Sequence, residues 1–180
     1  MDKNFKFNEA PAKEPIIFDE IFAEKVGGGI VKNAAYDRHP GMAVSADGVC
    51  LKGARLVEAI TSESTSMKVT KKSGFASGDY IGSGKKAVAI TAVDTSHDEY
   101  DILTATFGAA LDAGTPLYQA QGASASSAKA AITPMYVLGT FLPANCGDEL
   151  AKLVNGANVR KETVFFGEDI ASQMKGIHLI

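Results

Sequence analysis

The feature that most constrains this chain is how short its apolar segments are and how regularly turn residues break them. From about residue 50 to 120, strand-sized runs recur every ~10–15 residues with Gly, Asp, Ser and Thr clusters between them. Met67, Val69 and Lys71 alternate with Lys68, Thr70 and Lys72, the period-two signature of a half-buried strand. Val88 and Ile90 lie on one face of 87–93, and Tyr100–Phe107 mirrors that segment across the polar tip Asp94–Glu99. Pro116–Ala120 supplies a further strand after a Gly/Ala loop. Such spacing predicts a mainly β fold, with a small β-barrel or sandwich over 50–120. It leaves no room for a spanning helix, which needs ~20 consecutive apolar residues. Eighteen basic against 21 acidic side chains give a net charge of −3, which argues against nucleic acid as a partner.

The flanking regions read differently. Residues 1–49 form an N-terminal arm and lead-in, opening on MDKNFKFNEAPAKEP, which has lysines but no apolar stretch of the secretory kind. Within it Ile17, Ile21 and Lys25 share one helical face, with Phe18 and Phe22 beside it. Pro15 suits a first turn and Gly27-Gly28-Gly29 ends the segment, so a short helix over about 16–26 is predicted. It either packs on its own domain or docks elsewhere, since so short a helix is marginal alone. Phe5, Phe7, Ile17, Phe18, Ile21 and Phe22 are many large apolar groups for such a segment. They point to an arm that is mobile in the free chain and ordered in an assembly, and whose removal through residue 26 leaves a folded β core.

The small, polar stretch 121–134 reads as a linker or loop. Beyond it, 135–180 gives a C-terminal β module: strands at Met135–Leu142, Glu149–Val154 and Gly156–Phe166, then a brief helix capped by Asp169 and a closing strand Ile177–Ile180.

No catalytic set emerges, and neither a cofactor nor a metal is expected. His39 sits in the turn Asp37-Arg38-His39-Pro40-Gly41, His97 in the hairpin tip and His178 in the last strand, none with a partner at ligand spacing. Gly82-Ser83-Gly84-Lys85-Lys86 lacks the spacing of a phosphate loop and precedes a strand rather than a helix. Asp94, Asp98, Glu99 and Asp101 around the tip are the best cation candidates, though without the calcium-loop pattern. Cys50 and Cys146 are either two small buried hydrophobes or a disulfide joining the two halves.

The order of features at the C-terminal end carries a resemblance. Leu153-Val154-Asn155-Gly156-Ala157-Asn158-Val159 is followed by Arg160-Lys161-Glu162-Thr163-Val164, a brief helix and a terminal Gly176-Ile177. Over about 135–180 this resembles the C-terminal half of lambda-type head decoration proteins of tailed bacteriophages. Phe75-Ala76-Ser77-Gly78-Asp79 and Leu111–Leu117 are similar to the β modules of phage accessory head or head-fibre proteins. The resemblance implies a decoration-protein-like β core with short helices, a homotrimer, and a place on the outer virion surface after synthesis in the host cytoplasm. It implies the major capsid protein as partner, the arm as the capsid clamp, and Gly156, Ala157 and Val159 at the trimer interface. The competing reading is a β-sandwich adhesion or glycan-binding module, for which five Tyr and no Trp are a thin aromatic supply.

Overall fold

The computed structural model describes residues 17–84, 86–126 and 128–180. Among them are fourteen strands, numbered in chain order, and one four-residue helix, so the chain is mainly β. A five-stranded sheet runs β1 (Phe18–Glu24), β13 (Leu153–Val159), β11 (Pro134–Leu138), β3 (Ala43–Ser45), with β14 (Ile177–Leu179) parallel to the far half of β13. A four-stranded sheet runs β4 (Gly53–Arg55), β10 (Pro116–Ala120), β6 (Tyr80–Ser83), β7 (Lys86–Ala89). Across from it lie β5 (Ser66–Thr70), β9 (Tyr100–Thr104) and β8 (Ala92–Asp94), and β2 (Gly29–Val31) pairs with β12 (Glu149–Ala151) in a separate ribbon. No sheet closes on itself. The middle region is a sandwich of open sheets rather than a barrel, because Leu56, Met67, Ile81, Leu103, Phe107 and Leu117 fill one core between two short sheets.

The period-two strands fold as their patterns require. Met67 and Val69 of β5 are buried while Lys68 and Thr70 are half-exposed, and β8 and β9 form the hairpin around the polar tip. Strands β11 and β13 lack such alternation because each buries residues on both faces, with Met135 and Asn155 exposed. Val137 pairs with Val154 and Leu138 with Leu153. The first pair faces a core shared with Phe166, Ile170 and Ile177, the second a smaller one with Val31, Val44 and Cys50. In β10, Leu117 faces the sandwich core and Tyr118 the C-terminal core, so this strand is a seam between them. Residues 129–131 run back along the end of β10, with Gln121 N–H donating to Lys129 O and Ala131 N–H to Gln119 O.

The helix expected over 16–26 is instead strand β1, hydrogen-bonded antiparallel to β13 from Phe18↔Val159 to Glu24↔Val154. Ile17, Ile21 and Phe18 satisfy a helical and a β spacing equally. The open edge of β13 decides the matter, since it supplies long-range backbone partners that a short isolated helix lacks. Ile17 is buried in the C-terminal core, with Phe18 and Ile21 packed against it. Residues 17–24 are therefore part of the folded sheet and not a detached arm, and cutting at residue 26 would remove an edge strand. Three register shifts bulge β1, a common way to blunt an edge.

The helix α1 spans Glu168–Ala171, and its N-cap is Gly167 with no side-chain cap. Asp169, the expected cap, lies one residue inside the helix and is engaged by Tyr118. Lys175 lies beyond the helix end. No helix among the described residues is long and apolar enough to cross a membrane.

Candidate functional site

Strand β1 presents the first surface of interest. Its inner edge is bonded to β13, while among the described residues no strand is paired to its outer edge. Phe22 on it is 56% exposed, with its ring centroid 6.2 Å from that of His178, and Val26 just beyond is 96% exposed. Arg160–Asp19 and Lys152–Glu24 ion pairs, both at 3.1 Å, flank the strand. Phe5 and Phe7 lie outside the described residues. Gly156, Ala157 and Val159 do not face outward. All three are buried by this chain's own strands, and a Cβ on Gly156 would meet Ala23 Cβ at 2.7 Å and the Phe22 ring at 3.0 Å. The glycine makes room for β1.

The histidines are dispersed. His97 stacks on Tyr100 at 4.6 Å, and His39 packs between Phe141 at 5.4 Å and Phe165 at 6.1 Å. With Pro40, Phe18 and Ile17 these rings line an apolar cup of about 320 Å³. His39 Nε2 is buried there with no hydrogen-bond partner. Burial holds its imidazole below the ordinary histidine range, partly offset by the Asp37 carboxylate. A depressed folded value means that stability is fully present above the unfolded value of about 6.5 and is lost as pH falls below it. The midpoint of thermal unfolding should therefore drop between pH 7.5 and 5.5, and His39→Phe should flatten that drop. Identical pH slopes in the two proteins would refute the assignment.

The hairpin tip does not gather its carboxylates. Asp94 accepts from Ser96 N–H at 2.9 Å, and Asp101 turns inward, where Oδ2 accepts from Ser73 N–H and Oγ. Among the described residues no three His, Cys, Asp or Glu side chains converge as metal ligands. The Gly82–Lys86 segment is the β6–β7 hairpin turn, with Gly84 at φ +57°; Lys85 lies outside the described residues.

Asp101 opens instead onto a cleft of about 610 Å³ between the 35–37 loop, the 71–76 turn and the β8–β9 loop. Three lysines line it, each beside an aspartate: Lys52–Asp79 at 2.7 Å, Lys71–Asp101 at 3.0 Å and Lys72–Asp37 at 3.0 Å. Lys71 also donates to Thr95 O at 2.6 Å. Asp37 accepts from Ala144 N–H at 2.9 Å, and this bond, with Lys72, holds its carboxyl below the usual range despite desolvation. The sequence reading missed the cleft because its walls come from segments far apart along the chain. The only local signal was Lys71-Lys72-Ser73-Gly74, a polar turn after a clear strand.

Arg38, read as a turn residue, is fully buried. Its guanidinium donates to Lys32 O, Pro143 O and, at 2.8 Å, Cys146 Sγ. Both cysteines are free thiols, so no disulfide joins the halves. Burial pushes the Cys50 thiol up to about 12.

No family model, no curated protein and no solved structure matches this chain.

Proposed function

We propose that this chain is a structural virion protein that decorates and stabilises an assembled phage head at capsomer junctions. In this reading it acts as a homotrimer on the outer capsid surface, with the major capsid protein as its partner. The observation that carries the reading is β1: a strand of the C-terminal sheet whose outer edge is bonded to none of the other described strands, with an exposed Phe22. An edge of this kind is a template for strand addition, where backbone bonds supply affinity and side-chain pockets supply selectivity. Residues 1–16, with Phe5 and Phe7, lead directly into it. The resemblance over 135–180 falls on the strands, helix and closing segment around β1, which supports the same reading.

The test is co-sedimentation with heads assembled from a major capsid protein encoded beside this chain's gene. The full chain should bind, while removing residues 1–16 or introducing Phe22→Asp should weaken binding at least ~10-fold, since burying one large apolar side chain is worth about 1.5–3 kcal/mol. Circular dichroism of each variant separates loss of contact from loss of fold. Light scattering should give three copies at high concentration or on the head. A chain that ignores heads, or a gene neighbourhood without a capsid protein, would refute the proposal.

A further inference from the structure

The head-decoration reading leaves the apolar cup around Phe141 without a role. We propose that in the free chain this cup is filled by the chain's own residues 1–16, through the aromatic pair Phe5 and Phe7. Ile17, Phe18, His39, Pro40, Phe141 and Phe165 wall the cup, which holds about 320 Å³. An apolar cavity of about 150 Å³ already takes a benzene ring, so there is room here for one phenylalanine ring and part of a second. The described residues leave the cup open, with Phe141 44% exposed. A concave wall of rings gains from receiving another ring, because aromatic pairs attract in offset and edge-on arrangements beyond the area they bury.

The place of the cup along the chain selects its occupant. Sixteen residues precede Ile17 and lie outside the described residues, and the point where they join the fold is itself part of the cup wall. Arg160 N–H donates to Ile17 O at 2.9 Å, which fixes that point, and Thr163 and Phe165, a few residues beyond Arg160, line the same cup. Phe7 is the first aromatic residue upstream of Ile17, and Phe5 lies two positions further, where an extended segment presents both rings on one side. The ten-residue tether from Ile17 to Phe7 spans up to about 33 Å when extended and about 17 Å on average as a coil. It has only to return to a cup that begins at its own anchor. A tether of that length holds the rings at an effective concentration of order millimolar, above what a free partner reaches in dilute solution.

The experiment is NMR of the full chain, read at the ring protons of His39, which His39→Phe assigns among the three histidines. The parent should show ring-to-ring Overhauser contacts from His39 that disappear in Phe5→Ala/Phe7→Ala, while those to Phe141 and Phe165 persist. The His39 ring-proton shifts should move in the same variant, and those of His97 and His178 should not. Phe141→Asp places a charge in the cup and should return the Phe5 and Phe7 ring protons to free-phenylalanine shifts. If that variant unfolds, the double alanine variant carries the test, since it leaves every described strand intact. A contact within one chain should be the same from ~0.05 to ~1 mM protein. The proposal is overturned if the His39 ring protons coincide in the parent and the double variant. It is equally overturned if the contacts grow with concentration, which would put the segment on a second copy. No heads are present, so failure here leaves the head-decoration reading to its own co-sedimentation test.

Discussion

Gly176→Ala is expected to lower stability by about 3 kcal/mol or more, seen as a fall of ~6–12 °C in the thermal midpoint. A Cβ there would overlap the Asn155 carbonyl oxygen and reach Gly156 Cα at 3.1 Å, and neither is a flexible side chain. The chain could escape only by lifting β14 away from β13. That would cost the bond from Ala157 N–H to Gly176 O, the bond from Ile180 N–H to Val159 O, and the burial of Ile177. Overpacking alone costs about 1–3 kcal/mol, and exposing an isoleucine about 1.5–3 more. Gly122→Ala is the control: nothing lies within 4 Å of its added Cβ, so it should stay within ~0.5 kcal/mol of the parent. Equal melting of the two variants would mean that β14 can yield at no cost, and the tight approach would lose its significance. Together with Gly156, which makes room for Phe22 and Ala23, this gives both glycines of the C-terminal motif a steric reason within one chain.

The parts of the fold legible in the sequence are those where one face of a strand meets water. Met67 and Val69 against Lys68 and Thr70 announce β5 because their two faces have different surroundings. The hairpin of β8 and β9 is announced by the polar residues that must fill its tip. Where residues are buried on both faces the signal fails, as in β11 and β13: the sequence pattern expects strands at 135–142, 149–154 and 156–166, whereas they run Pro134–Leu138, Glu149–Ala151 and Leu153–Val159. Residues 17–24 fail differently. Their apolar positions fit periods of two and 3.6 alike, and only the open edge of β13, more than a hundred residues away, selects the strand. The same distance hid the chemistry. Asp37, Lys72 and Asp101 carry no shared motif, and Arg38 looked like a turn residue because its acceptors, Lys32 O and Pro143 O, are backbone atoms that leave no mark in a side-chain pattern.

Tyr118→Ala should be the second large effect, about 3–5 kcal/mol, the usual range for truncating a buried aromatic. Tyr118 is 1% exposed in the seam strand β10 and packs among the C-terminal core residues. Its hydroxyl donates to Asp169 Oδ2 at 2.5 Å, tying α1 to the four-stranded sheet. Tyr118→Phe keeps the packing and removes that tie together with the longer contact to Gly84 O at 3.3 Å, so it should cost about 1–1.5 kcal/mol. Alkaline pH separates the two contributions. Burial, then the Asp169 hydrogen bond and charge, raise the Tyr118 value above the ordinary tyrosine range, and burial raises Tyr36 likewise. A raised folded value gives stability that is complete below the unfolded value of about 10 and is lost as pH climbs past it. Cys50, pushed up to about 12, adds an earlier loss that begins near the unfolded thiol value of about 8.5. Urea unfolding between pH 7 and about 11 should thus show stability falling in two stages, with Cys50→Ala removing the first and Tyr118→Phe reducing the second. If Tyr118→Phe leaves the slope above pH ~10 unchanged, the hydroxyl ionises as freely folded as unfolded, and the bond to Asp169 cannot be what fastens the helix to the sheet.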